Sequence, residues 1–399
     1  MVTFFQAVFG GLAQGCVYAL IALGYSVIYS TLKMGHFAQG EFYMVGAFVG
    51  LTLFTRMKLP VVIAFAGAAL FTSILMLVLE RLAYRPLYNR PSMSLLMATL
   101  GMQYVVQEIV RDIWGSDVVR SDNIFPQKNF LIGGLVITAQ NLLIILICAV
   151  LMIALTVFMK YSKTGRAMTA VSMNRKAASL MGVRTPTIIM ATYVIAACLA
   201  AVAGVMMGPI YSVKYSMGTT FGNKAMTAAV MGGFGSLPGA MLGSVLLGIV
   251  ESLCSLYIST AYKDVFSFVI LVIVLFCRPQ GILGKKSITK GEGGGSVNTV
   301  SRSTKITIGV LILCAVVAPL VLGIDNNYLI NILCSYCYFG IMCCSLNLLL
   351  GYTGQISMGH AAFMMIGAYT YGILNKYYGV HFLLAVIAAV LMSFAAGLL

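Results

Sequence analysis

An all-α polytopic transmembrane helical bundle, with broken or re-entrant helices and two homologous modules, is the fold class this sequence predicts. Three observations predict it. Of its 399 residues, 60% are hydrophobic and 9% are charged, whereas a soluble domain carries roughly a quarter charged residues. Apolar runs of about 18 residues or more recur, long enough for helices across a hydrocarbon core of about 30 Å and unlike the short alternating segments of outer-membrane barrels. The net charge of +15 gathers mostly in two loops, which fits orientation in a lipid bilayer and not nucleic-acid binding.

The basic loop over residues 160–184 anchors the topology. It contains Lys160, Lys163, Arg166, Arg175, Lys176 and Arg184 and no acid, so it is expected on the cytoplasmic side. Within it Ser162 or Thr164 can cap a short helix, Met168, Val171, Ala178 and Met181 recur at about helical spacing, and Gly182 can end it. Such a helix either rests on lipid headgroups or offers itself to a soluble partner.

Before this loop, spans are expected over residues 4–30, 37–54, 60–79, 94–114 and 141–159, the fourth interrupted by Gln103, Gln107 and Glu108. Counting back from the anchor puts residues 81–90 inside and the N-terminus outside. The segment 115–129, which carries Asp117 and Asp122, also falls outside. The first span lacks a charged leader and an Ala-x-Ala site, so it is expected to insert directly. All ten Cys lie in or beside apolar segments, where a thiol packs as a small hydrophobe. Cys334 and Cys337 read the same way, since no further ligand stands at metal spacing.

After the loop, residues 187–207 exit to the outside, and the chain is inside again at Arg278, Lys285, Lys286 and Lys290. Parity holds if residues 225–231 form a half-helix dipping inward and residues 240–256 climb back out, with a break at 232–239, before a last span over 265–277. Glycines that merely permit tight helix packing are the open alternative. Residues 285–305, with a Gly-rich centre, read as a flexible cytoplasmic linker. It joins a module over 1–284, with about eight membrane segments, to one over 306–399, with about four. Those four are residues 306–323, 328–350, 361–374 and 382–399; the last runs to the end of the sequence, so the second module reads as truncated. The heptads starting at Phe42 and Phe363 match without a gap, and the same register sets Tyr18 on Phe339 and Gln39 on His360, as expected of a duplication.

No Gly-x-x-x-x-Gly-Lys-Ser/Thr loop occurs, so nucleotide hydrolysis by this chain is not expected. The three His are His36, His360 and His381, and they support no Ser-His-Asp or Cys-His arrangement; neither an enzyme nor a bound cofactor or metal is implied. Charges inside spans are costly, which singles out Glu41, Glu108 and Glu251. Glu41 follows Gln39 at a Gly-punctuated helix start, and Gln355, Ser357 and His360 stand near the matching place of the second module. Polar helix starts in both halves point to a solute path, to which Gly232, Gly233, Gly235 and Pro238 of the break would contribute. A carboxylate capping its own helix is the alternative for Glu41, and a paired structural acid for Glu108 and Glu251.

These motifs carry a resemblance. Phe37-Ala-Gln-Gly-Glu-Phe-Tyr-Met-Val-Gly-Ala47, Gly232-Gly-Phe-Gly-Ser-Leu-Pro-Gly-Ala-Met-Leu-Gly243 and Arg278-Pro-Gln-Gly-Ile-Leu-Gly284 resemble one of the two membrane permeases of branched-chain amino acid ABC importers. Gly351-Tyr-Thr-Gly-Gln-Ile-Ser-Met-Gly-His-Ala-Ala-Phe363 resembles the other. The resemblance implies a multi-pass permease of the bacterial inner membrane that translocates branched-chain or related amino acids. It implies as partners two cytoplasmic ABC ATPases that use the ATP, an extracytoplasmic substrate-binding protein, and a second permease half in cis or as a separate chain. It also makes Arg175, Lys176, Ala177, Ala178 and Gly182 a coupling helix inserted into an ATPase, with Lys176 where the family motif has Glu. The rival readings are an ion-coupled secondary transporter or channel using Glu41 or Glu251, and an inactive truncated fusion.

Overall fold

The computed structural model describes residues 2–88, 90, 92–119, 129–132, 135–284, 327–349 and 359–398. It forms two compact units, Met1–Ser287 and Ile288–Leu399. Among the described residues six helices are long and apolar enough to cross a membrane: Val2–Leu32, Val61–Leu87, Met93–Trp114, Ala139–Tyr161, Thr185–Met207 and Leu237–Tyr257.

The axle of the first unit is α1 (Val2–Leu32), in which every residue from Gly15 to Ile28 is buried. Around it stand α2 (Gln39–Leu51), buried at every position, α8 (Thr185–Met207), α9 (Met217–Gly232) and α10 (Leu237–Tyr257). Lipid tails are as apolar as Leu, so helices in a bilayer gain little by burying large side chains against one another and associate through close packing of small ones. The glycines follow that rule. A Cβ on Gly15 would lie 2.8 Å from the Ser244 carbonyl oxygen, one on Gly248 2.5 Å from that of Gly11, and one on Gly222 2.8 Å from Gly40 Cα.

An outer ring faces lipid on one side only. In α3 (Val61–Leu79) Ala64, Ala68, Thr72 and Met76 are buried at one-turn spacing, whereas Val62, Leu70, Phe71 and Ile74 are exposed. In α5 (Ala139–Tyr161), Gln140, Ile144 and Cys148 repeat the pattern; α4 (Ser92–Trp114) and α11 (Lys263–Cys277) complete the ring. The basic loop folds into α6 (Lys163–Met173) and α7 (Arg175–Leu180).

Two local features differ from the sequence expectation. The inward helix before the break starts at Met217 and not at residue 225, because Gly218 and Gly222 accept the backbone of α2 and Lys224 is paired inside the bundle. The polar segment read over 115–129 leads into an antiparallel hairpin of β1 (Asn129–Ile132) and β2 (Leu135–Thr138) that no sequence expectation covered, and Val119 exchanges backbone hydrogen bonds with Val213.

The break itself rests on backbone that only glycine adopts readily: φ is +113° at Gly233 and +87° at Gly235. The last carbonyls of a helix need donors from elsewhere, and here they come from the returning segment. Ile282 N donates to Met231 O and Leu283 N to Gly232 O, both at 2.9 Å. The stretch 278–284 is therefore a cap on α9. Ser236 then opens α10, its hydroxyl accepting from Gly239 N at 3.3 Å.

In the second unit α12 (Asn327–Leu348), α13 (His360–Tyr378) and α14 (Phe382–Leu398) are described. Ala385 and Ala389 of α14 are buried, and Ser393 Oγ donates to Phe363 O at 3.1 Å. Helices α2 and α13 begin at the residues that the repeat sets against each other, Gln39 and His360. The expected linker over 285–305 and the span over 306–323 lie outside the described residues.

Replacing Gly15 with Val forces α1 away from α10, since its Cβ would meet main-chain atoms that cannot rotate aside. Such overpacking costs about 1–3 kcal/mol. The thermal midpoint of Gly15→Val in detergent falls measurably below wild type, whereas Gly10→Val, where a Cβ meets nothing within 4 Å, leaves it unchanged.

Candidate functional site

One end of the first unit carries the basic platform. Ser162 caps α6, its Oγ accepting from Gly165 N at 2.9 Å, and Met168 and Val171 are buried beneath it. Asn174 stops α6 and starts α7, its side chain accepting from Ala177 N at 3.1 Å. Gly182, at φ +85°, donates to Ser179 O, and Val183 N closes the turn on Ala178 O at 3.0 Å, the usual glycine-terminated helix end. Of the residues expected to couple, Ala178 faces inward, Lys176 and Ala177 are exposed, and the Arg175 guanidinium stacks on Tyr88 at 5.8 Å from the ring centre. Tyr88 in turn donates to buried Glu80 at 2.9 Å, tying the platform to the end of α3. Burial first, then the neighbouring Tyr193 and Glu80, push the Tyr88 phenol up, so it remains a donor. Met173, Leu180 and Met181 stand 83–88% exposed on this surface.

Behind the platform lies an inner cavity of about 670 Å³, bordered by Tyr29 of α1, Lys33 just beyond its end, Lys160 of α5, Ser172 of α6, and the break through Gly235 and Pro238. Gly232 and Gly233 pack instead against the chain itself, Gly232 on Gly239 and Gly233 on Gly284. Gln39 and Glu41 are buried deeper. The Gln39 amide donates to Ala196 O at 2.8 Å, and Glu41 Oε1 accepts from Thr219 Oγ1 at 2.9 Å. The other Glu41 oxygen sits against Gly218 without a hydrogen-bond partner among the described residues. Neither residue borders the inner cavity. In the second unit His360 Nε2 shares a hydrogen bond with Ser345 Oγ at 2.9 Å; Gln355 and Ser357 lie outside the described residues.

The opposite end holds a group that the sequence reading reached only through Glu251. Its Oε1 pairs with Lys224 Nζ, and Oε2 accepts from Tyr18 at 3.0 Å. Lys224 also pairs with Asp264 at 2.7 Å, and Lys263 Nζ stands 3.7 Å from Glu251. The Gln14 amide donates to Tyr18 Oη at 2.6 Å and accepts from Tyr211 at 3.2 Å. Two lysines thus face two acids, which is how charge is tolerated inside a membrane bundle. Glu251 and Lys263 border an outer cavity of about 610 Å³, together with Gln14, Tyr211, Met207 and Leu256. Lys224 stands just before the half-helix expected over 225–231, and only its partner 27 residues later shows that it belongs inside. Glu108 lies on the lipid-side ring and pairs with exposed Arg111 of the same helix.

The chain is similar to known proteins. A model of the family described as "Branched-chain amino acid transport system / permease component" matches residues 7–275 and 328–399. The high-affinity branched-chain amino acid transport system permease protein LivH of Escherichia coli is 40% identical over 303 residues, covering 72% of this chain and 97% of that protein. The corresponding permease protein BraD of Pseudomonas aeruginosa is 39% identical over 301 residues, covering 72% and 98%. The permease protein LivM of Escherichia coli is 30% identical over 120 residues, covering 30% and 26%.

Removing one member of a buried ion pair costs about 3–5 kcal/mol, whereas replacing both can be nearly neutral. Lys224→Met should therefore lower the thermal midpoint of the detergent-purified protein sharply, and adding Glu251→Gln should recover most of the loss. An unchanged midpoint for Lys224→Met would show that the pair bears no structural load.

Proposed function

The chain belongs to the family of branched-chain amino acid transport permeases, and from that premise we propose that it is the membrane-spanning subunit of an ATP-driven importer for branched-chain or related amino acids. The observation that supports this most directly is the family match in two separate segments of one chain, 7–275 and 328–399, which favours a pore subunit over an ion-coupled carrier. The chain is multi-pass, and the inner membrane of a bacterium is its proposed location. ATP would be bound and hydrolysed by two cytoplasmic ABC ATPases, with no cofactor held by the permease. A binding protein outside the membrane would deliver substrate, and a second permease half, in cis or as another chain, would complete the pore.

In this reading the platform of α6 and α7 is where an ATPase grips. Its exposed Met173, Leu180 and Met181 offer an apolar surface unusual beside so many cations, of the kind that marks a protein contact. Ala177 leaves room for close approach, and Gly182 fixes the end of α7. Lys176, where the family motif has Glu, would make a different electrostatic contact from that acid. Movement of the platform would pass to α3 through Arg175, Tyr88 and Glu80, and to the break through the shared inner cavity. Gln39, Glu41, the break and, in the second unit, Gln355, Ser357 and His360 are proposed to lie along the path that opens; in the present conformation Gln39 and Glu41 are packed shut.

Reconstituted with ATPases and a binding protein, the permease should take up radiolabelled leucine with ATP and not with an imposed proton or sodium gradient alone; gradient-driven uptake would favour the carrier reading. Ala177→Glu and Gly182→Asp should each cut ATP-driven uptake at least tenfold, about 1.4 kcal/mol or more of lost coupling. Uptake at wild-type rate in both would remove α7 from the coupling role.

A further inference from the structure

The outer cavity combines two chemistries. One wall is apolar, formed by Met207, Ile210 and Leu256, and the other carries Glu251 and Lys263. The Lys224–Glu251 pair is almost wholly buried, and Tyr18 holds the second carboxylate oxygen. Lys263 is different. Its side chain is 33% exposed, and its 3.7 Å separation from Glu251 is longer than a charge-assisted hydrogen bond. Opening so loose and solvated a contact costs little.

We propose that this cavity is a receiving site for a free amino-acid zwitterion with an apolar side chain. The zwitterion inserts between Lys263 and Glu251, its carboxylate on the Lys263 ammonium and its own ammonium on the Glu251 carboxylate. One long ion pair is thereby exchanged for two short ones, and the net charge of the cluster is unchanged. The side chain lies on Met207, Ile210 and Leu256, and about 610 Å³ leaves room for water beside it. Lys224 holds the Glu251 carboxylate in place through their ion pair and is a positioning residue. The cavity and the inner one flank the same helix α1 at its two ends, so a solute held here stands at the start of the path. This inference rests on the transport reading given above.

The test uses the assembled complex in nanodiscs, without binding protein, carrying Ser255→Cys on the cavity wall and Cys254→Ala beside it. L-Leucine should slow maleimide modification of the new thiol about fivefold or more. Leucinamide and 4-methylpentanoate, each lacking one of the two charges, should slow it less than twofold. Lys263→Gln should raise the leucine concentration for half-protection about tenfold, the loss of one hydrogen bond to a charged group, and Lys263→Arg should retain protection. Gel filtration establishes that each variant is assembled; should Lys263→Gln fail to assemble, the amide and acid comparison in the parent complex decides. No protection by leucine, equal protection by leucinamide or 4-methylpentanoate, or unchanged protection in Lys263→Gln would overturn the proposal. ATP-driven uptake measured on the same proteins separates the two readings: uptake without protection rejects the site alone, and protection without uptake supports the site while rejecting the pump.

Discussion

A hydrocarbon core cannot solvate a backbone amide or a charge, and every feature of the first unit answers to that constraint. Helices satisfy their own backbones, but joining them leaves ends and breaks to be dealt with. The break between α9 and α10 is tolerated because the chain returns from α11 to place Ile282 and Leu283 against the open carbonyls of Met231 and Gly232. Lys224 and Glu251 are tolerated because each has the other, with Asp264 also on Lys224 and Tyr18 also on Glu251. The cations of residues 160–184 are the feature from which the expected orientation of the helices was counted.

The two cavities lie toward opposite ends of one helix. Helix α1 borders the outer cavity with Gln14 and the inner one with Tyr29. Between those ends α10 approaches α1 to backbone contact at Gly15 and Ser244, and α2 meets α9 equally closely at Gly40 and Gly222. Contacts made by glycine are close but depend on few interlocking side chains, so helices can slide along them at modest cost. Glu41 lies among these close approaches, one oxygen held by Thr219 and the other against Gly218.

Much of this was legible in the sequence wherever a single stretch carries its own reason. The cations of the basic loop, the Ser162 cap and the Gly182 stop are all local, and each stands where the spacing puts it. The break at 232–239 was legible through parity and its glycines. What escaped was non-local. Lys224 reads as lying before the half-helix until Glu251 is seen beside it, and Tyr88 reads as loop until Arg175 lies on its face. The β1–β2 hairpin did carry a signal, two apolar runs flanking Gly133 and Gly134, but span counting left that stretch unread. Gln39 and Glu41 show the converse: their polarity marked them as a path, while the resting structure spends it on hydrogen bonds between helices.

The central claim is that the α6–α7 platform lies on the ATP side of the bilayer and the Glu251 cavity on the other. Single cysteines at Met173, 83% exposed on the platform, and at Gln6, on the rim of the outer cavity, in a background without reactive native thiols, test it with one membrane-impermeant label. In intact cells Gln6→Cys should react and Met173→Cys should not, until the membrane is permeabilised. Ready labelling of Met173→Cys from outside would invert the topology and leave the proposed pump with no place for its ATPase.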